Sequence, residues 1–129
     1  MPAPATYEYA AATIVTAHTA VLDDIDGGSS NGEIRLYDES DTLLCTIDLD
    51  DPGGTVNGTT GQLTLDIPAD GTAVADGTCS YATITDSDGT VVVTLPAEAG
   101  ASAVSGKIVI NSLTIVTGAD VSVTSATIG

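Results

Sequence analysis

From Glu33 to Ile128 the chain is a succession of short runs in which apolar and polar residues alternate, each run broken by Asp, Gly, Asn or Pro. A period of two puts alternate side chains on opposite faces of a strand, so this pattern constrains the chain to β structure. Glu33 to Tyr37 is the first run, and Asp38-Glu39-Ser40-Asp41 is a polar turn. Residues 42–49 follow, with Leu43, Cys45, Ile47 and Leu49 on one face and Leu44, Thr46 and Asp48 on the other. Asp51-Pro52-Gly53-Gly54 then breaks the chain, and a Gly/Thr/Asn loop leads to the alternating run 62–67. Asp70-Gly71-Thr72 and Asp76-Gly77-Thr78 are expected turns around residues 73–75. Residues 79–85 and 90–95 form a second hairpin across Asp86-Ser87-Asp88-Gly89. A loop at 97–106 precedes runs at 107–110, 113–115 and 121–128. About eight strands at intervals of roughly a dozen residues predict an antiparallel β-sandwich, with a jelly-roll-like arrangement as one form of it.

Composition supports strands. Hydrophobic residues make up 43% of the 129 residues, yet Phe and Trp are absent and the aromatics are four Tyr. Ala, Val, Ile and Leu must therefore fill the interior, with Thr and Gly around them. The length suits one domain that buries roughly two-thirds of its unfolded surface. The expected organisation is an N-terminal arm and helix over 1–28 and a β-sandwich over 29–129, forming a single globular domain.

Helical spacing occurs once, between Tyr7 and Ile25. Ala11, Ile14, His18, Val21 and Ile25 recur at steps of three and four, with Val15 and Leu22 alongside. Gly27-Gly28 is the expected C-cap. Thr13, Thr16 and Thr19 are mediocre helix formers, and Asp23, Asp24 and Asp26 sit at the unfavourable end of the dipole. A helix is expected around 8–25. Before it, Pro2 and Pro4 favour an extended path without backbone donors. Tyr7 and Tyr9 beside that arm bring apolar area with a polar tip, so Pro2 to Tyr9 is expected to lie on a neighbouring subunit or a partner protein.

The hairpins carry an internal echo. Residues 36–47 align with 84–95 across matching Asp turns, and 61–66 with 106–111. Two readings stand: related hairpin-plus-strand units, or the shared vocabulary of any two Asp-turn hairpins.

Eighteen acidic residues face two basic ones, Arg35 and Lys107, giving a net charge of −16. Such a chain repels phosphate and anionic lipid, which argues against nucleic-acid or membrane-surface binding. The Asp side chains are expected to face solvent, with Arg35 and Lys107 nearer a partner contact. No run reaches the length of a membrane span, and the first residues lack the pattern of a secretory signal.

Candidate chemistry is sparse. His18 lies on the apolar stripe of the helix and reads as a packing residue. Neither a nucleophile elbow, a phosphate loop, a dinucleotide fingerprint nor a cysteine zinc pattern is present. Cys45 alternates with core leucines, Cys79 begins a strand, and both are expected as reduced thiols. Asp48, Asp50 and Asp51, or Asp86 and Asp88, are the candidate calcium ligands, but neither cluster completes a calcium loop. Asp and Gly are also ordinary turn residues. Paired carboxylates for glycoside hydrolysis would lack the Trp or Phe on which sugars stack. The expectation is a non-enzyme without cofactor.

Several stretches together resemble small virion structural proteins of tailed bacteriophages, of the kind that decorate or cement the capsid. They are the helix ending at Gly27-Gly28, residues 32–37, residues 43–49, Asp51-Pro52-Gly53 and the hairpin Ser87-Asp88-Gly89-Thr90-Val91. The most specific is the closing run from Ile110-Asn111-Ser112-Leu113 through Val121-Ser122-Val123. The chain departs from that pattern in its helix, which lacks the usual charged positions, and in the Gly/Thr-rich loop after Pro52. The resemblance implies a shell component on the virion surface, assembled in the host cytoplasm, that binds the major capsid protein as a homo-oligomer. A head–tail or tail structural protein is the alternative in that setting. A calcium-dependent adhesion or surface-layer module is the alternative of another class.

Overall fold

The computed structural model describes residues 9–129, so the expectations placed on Pro2, Pro4 and Tyr7 lie outside the described residues. The fold is mainly β, with one helix among the described residues, α1 (Ala11–Ile25). The strands are β1 (Glu33–Tyr37), β2 (Leu43–Asp48), β3 (Gly54–Val56), β4 (Leu63–Leu65), β5 (Gly71–Thr72) and β6 (Gly77–Thr78). They continue as β7 (Tyr81–Thr85), β8 (Val91–Ala99), β9 (Lys107–Ile110), β10 (Thr114–Ile115), β11 (Asp120–Val121) and β12 (Val123–Ile128).

Eight strands form one sheet in the order β2-β1-β7-β8-β9-β12-β4-β3. It is mixed, which corrects the wholly antiparallel expectation: Ala97 to Ala99 of β8 run parallel to β9. β8 is longer than its sequence run because it passes through Pro96 and changes neighbour there. Residues up to Pro96 pair with β7, and those beyond it pair with β9. Tyr81 faces Pro96, and the next bond on that side is from Ala97 N to Ser80 O, 3.1 Å. The missing proline N–H therefore costs the β7 ladder nothing.

The sheet curls towards its own far edge. Leaving β2, Asp50 N donates to Asp66 O at 3.0 Å, which ties the first strand of the order to the segment after β4. One apolar cluster draws on both halves: Ile34, Leu36, Ile47 and Ile84 from one, Leu63, Ile108, Ile110 and Ala126 from the other.

The expected turns at 70–72 and 76–78 are instead parts of a two-stranded ribbon. β5 pairs with β11 and β6 with β10. The ribbon lies over β2, where Val74 N donates to Leu44 O at 2.8 Å. Leu44, which alternation puts on the face of Thr46 and Asp48, is consequently buried. β3 also falls where a loop was expected, because a three-residue strand with a glycine carries no readable period.

Helix α1 begins at Ala11, later than residue 8. Its C-cap is Asp26, with φ −83°. The Asp26 carboxylate accepts Gly53 N at 2.8 Å. Ile25 is fully buried where Gly32 and Gly53 converge; a Cβ on Gly32 would lie 2.8 Å from Ile25 Cγ2. Gly28 serves close approach and not a left-handed cap: a Cβ there would overlap Ser87 Oγ of the β7–β8 turn. Helix and sheet thus share one core.

The two hairpins share more than vocabulary. Tyr37, Leu36 and Ile34 pair with Leu43, Cys45 and Ile47; forty-eight residues on, Thr85, Ile84 and Ala82 pair with Val91, Val93 and Leu95. Each has its bulge at the corresponding step. Asp38 Oδ1 accepts the N–H groups of Ser40 and Thr42, both at 2.9 Å. Asp86 Oδ1 accepts those of Asp88 and Thr90, at 2.9 and 3.0 Å. Asp41 and Gly89 occupy the same left-handed position, φ 64° and 86°. The likeness ends with the hairpins: β4 and β9 both pair with β12, but their other neighbours differ.

Candidate interaction surfaces

At one end of the sheet, β1 and β7 bring Tyr37 and Tyr81 into register. Their rings stack with centroids 5.2 Å apart and planes 15° apart, a geometry that holds both rings in place. Tyr81 OH donates to Asp41 Oδ1 at 2.6 Å, and this bond pushes the Tyr81 phenol up to about 12. Asp38 and Ser80, the chain neighbours of Tyr37 and Tyr81, line an open groove of about 610 Å³ together with Glu39, Ser40, Cys79, Ala97 and Leu113 among others. Glu39 and Ser40 are exposed at its rim. Cys79 is 2% exposed, and burial pushes its thiol up to about 11. It stays protonated at neutral pH, so it is an apolar wall of the groove and not a nucleophile. Cys45 is buried too, with its thiol raised by burial, and both cysteines are free. The stack and groove escape a linear reading because strand pairing, not sequence proximity, brings together residues some forty apart.

Helix α1 forms a second surface of different character. His18 donates from Nδ1 to Gly61 O at 2.5 Å, packing the helix on the loop before β4 as its stripe suggested. A Cβ on Gly61 would lie 2.5 Å from Ile14 Cγ2, so glycine lets that loop meet the helix; its φ of +80° suits glycine as well. Thr13, Thr16, Ala17, Thr19 and Ala20 face outward. A mainly apolar depression of about 370 Å³ runs between Tyr9, Thr13, Ile14, Ala17 and His18. Tyr9, the one described residue of the expected arm contact, is 66% exposed at its end.

The two cations occupy separate places. Arg35, on β1, reaches Glu33 at 3.3 Å and lies over the Gly89 turn. Lys107, opening β9, reaches Glu98 at 3.6 Å. Both pairs are solvent-exposed enough to contribute little stability.

Among the candidate calcium ligands, Asp48, Asp50, Asp51 and Asp88 are exposed, and Asp50 Oδ1 accepts Asp51 N at 2.9 Å. Asp86 Oδ1 is occupied by its turn. Among the described residues, no three His, Cys, Asp or Glu side chains converge as a metal-binding group. No described Asp is buried. Asp76 bridges the ribbon: its Oδ1 accepts Thr117 N at 2.7 Å and Thr117 Oγ1 at 2.9 Å. The backbone bond, then the hydroxyl bond, hold the Asp76 carboxyl below its usual range.

No helix among the described residues is long and apolar enough to cross a membrane. Comparison with protein-family models, with curated proteins and with solved structures gives no match.

Proposed function

We propose that the protein is a non-enzymatic shell component that decorates or cements a phage capsid by binding the major capsid protein. The observation that supports this reading is the open groove lined from Asp38 to Leu113. It has an acidic rim, Asp38 and Glu39, and an apolar patch, Ala97 and Leu113, among the polar Ser40, Thr78 and Ser80. Such a groove takes an extended segment of another protein that carries a basic side chain, the stem lying on the patch and the charge at the rim. A ligand that meets only the assembled shell stabilises that shell by mass action.

The test is co-sedimentation with purified capsids that lack the protein. The full chain is expected to saturate a fixed number of sites and raise the temperature at which the capsids open. Glu39→Lys, at an exposed position, is expected to keep the fold and weaken binding about tenfold, as charge reversal opposite a basic group does. Deleting residues 2–9 tests the arm in the same assay. Normal binding by that deletion removes the arm as anchor and leaves the groove. Absence of binding by the full chain overturns the proposal.

A further inference from the structure

The outer surface of α1 differs in charge from the rest of the chain. Residues 9–22 contain no Asp, Glu, Lys or Arg, in a chain whose net charge is −16. Like-charged copies repel wherever their acidic faces meet, so self-contact is cheapest where charge is absent. A cationic partner would find nothing to bind on this stretch. On the outward face, Thr13, Ala17 and Ala20 continue at helical spacing into Asp24, and Ala12, Thr16 and Thr19 continue into Asp23. These small side chains allow helix axes to approach near the short end of the usual range, about 8 Å.

The two ends of the helix are complementary to each other. Its first turn holds no acidic residue, and Ala10 offers no side-chain acceptor to the N–H groups there. Its last turn holds no basic residue, and Asp23 and Asp24 stand exposed at the negative end of the dipole. Each end is unfavourable on its own. In a two-fold contact whose axis lies perpendicular to the helix, the two helices run antiparallel, and each copy's Asp23 and Asp24 meet the N-terminal end of the other. Both unfavourable ends are then relieved at once, and the interface is isologous.

We infer that the outward face of α1, from Thr13 to Asp24, is a homodimer contact in which two helices pack antiparallel. It stands apart from the capsid reading, because the isolated protein suffices to test it. Sedimentation velocity of the full chain over a range of concentrations is expected to show dimers. Their association is expected to strengthen in high salt, because screening removes repulsion between two copies of charge −16. Ala17→Glu keeps a good helix former at an exposed position, and is expected to weaken the dimer about tenfold or more without changing circular dichroism. Asp24→Asn is expected to weaken it about threefold while steadying the helix of the monomer. Val74→Glu, on the ribbon, is expected to leave association unchanged. A monomer at every concentration and salt overturns the inference. So does a dimer that weakens with salt, one that Ala17→Glu spares, or one that Val74→Glu breaks.

Discussion

The β7–β8 hairpin and helix α1 are held in opposite ways. The hairpin closes on itself: Asp86 accepts two backbone N–H groups, and Gly89 takes the left-handed step. The β1–β2 hairpin repeats this with Asp38 and Asp41. The helix has no such internal support. It lacks a capping side chain, carries acids at the wrong end, and fully buries one residue, Ile25. Its structure comes from contacts distant in sequence, at Gly32, Gly53 and Gly61. A segment whose own chemistry underspecifies it depends on what it touches, and α1 leaves its outer face open to touch something more.

The largest expected effect breaks the helix side of this contrast. Ile25→Ala removes a fully buried side chain at the corner where helix and sheet meet. Its cost is expected to be about 2–5 kcal/mol in denaturant unfolding, with helical signal lost before the sheet's. A loss under about 1 kcal/mol would place the anchor of the helix elsewhere.

The hairpin side is sharpened by Asp38→Ala and Asp86→Ala. Each removes the acceptor of two turn N–H groups, and each is expected to cost about 1–2 kcal/mol. The two costs should agree closely if the hairpins are equivalent. A large cost for one and none for the other would reduce the likeness to coincidence of sequence.

These same residues mark what was legible. Asp38, Asp86 and Gly89 announce their turns because turn chemistry is local, so both hairpins and their offset could be read along the chain. The helix end near residue 25 was legible as well, although Gly28 acts through Ser87 and not as a cap. Elements set by distant partners were not legible. β5, β6, β10 and β11 are two residues long each and exist only as pairs. The burial of Leu44, on the face of Thr46 and Asp48, was not legible because the ribbon that covers it lies some thirty residues away. The turn of β8 from β7 to a parallel β9 is fixed by tertiary pairing around Pro96. Of the candidate surfaces, His18 was legible as a packing residue. The tyrosine stack was not, because pairing of β1 with β7 creates it, nor was the groove, which gathers residues from Asp38 to Leu113.

A smaller effect tests the ribbon, which lies between the two extremes in that Asp76 supplies local bonds across distant segments. Its carboxyl titrates below the ordinary 3.8 because Thr117 donates to the charged form. The folded value lies below the unfolded one, so the bonds contribute their full stability above the unfolded value. That contribution is lost as pH falls through the folded value. The stability gap between the wild type and Asp76→Asn is therefore expected to be constant near neutrality and to close below about pH 4. A gap unchanged in acid would show that the charge of Asp76 is irrelevant to the ribbon.

Amide hydrogen exchange at low and high protein concentration measures both regions in one experiment. Hairpin amides at Ser40, Thr42, Asp88 and Thr90, held by their own turns, are expected to show the same protection at both concentrations. Amides of α1 from Thr13 to Leu22 are expected to gain protection as concentration rises, because a second copy covers the face they lie beneath. Helix protection that stays constant across concentrations, with the chain shown to be folded, would contradict the claim that α1 is completed by another molecule.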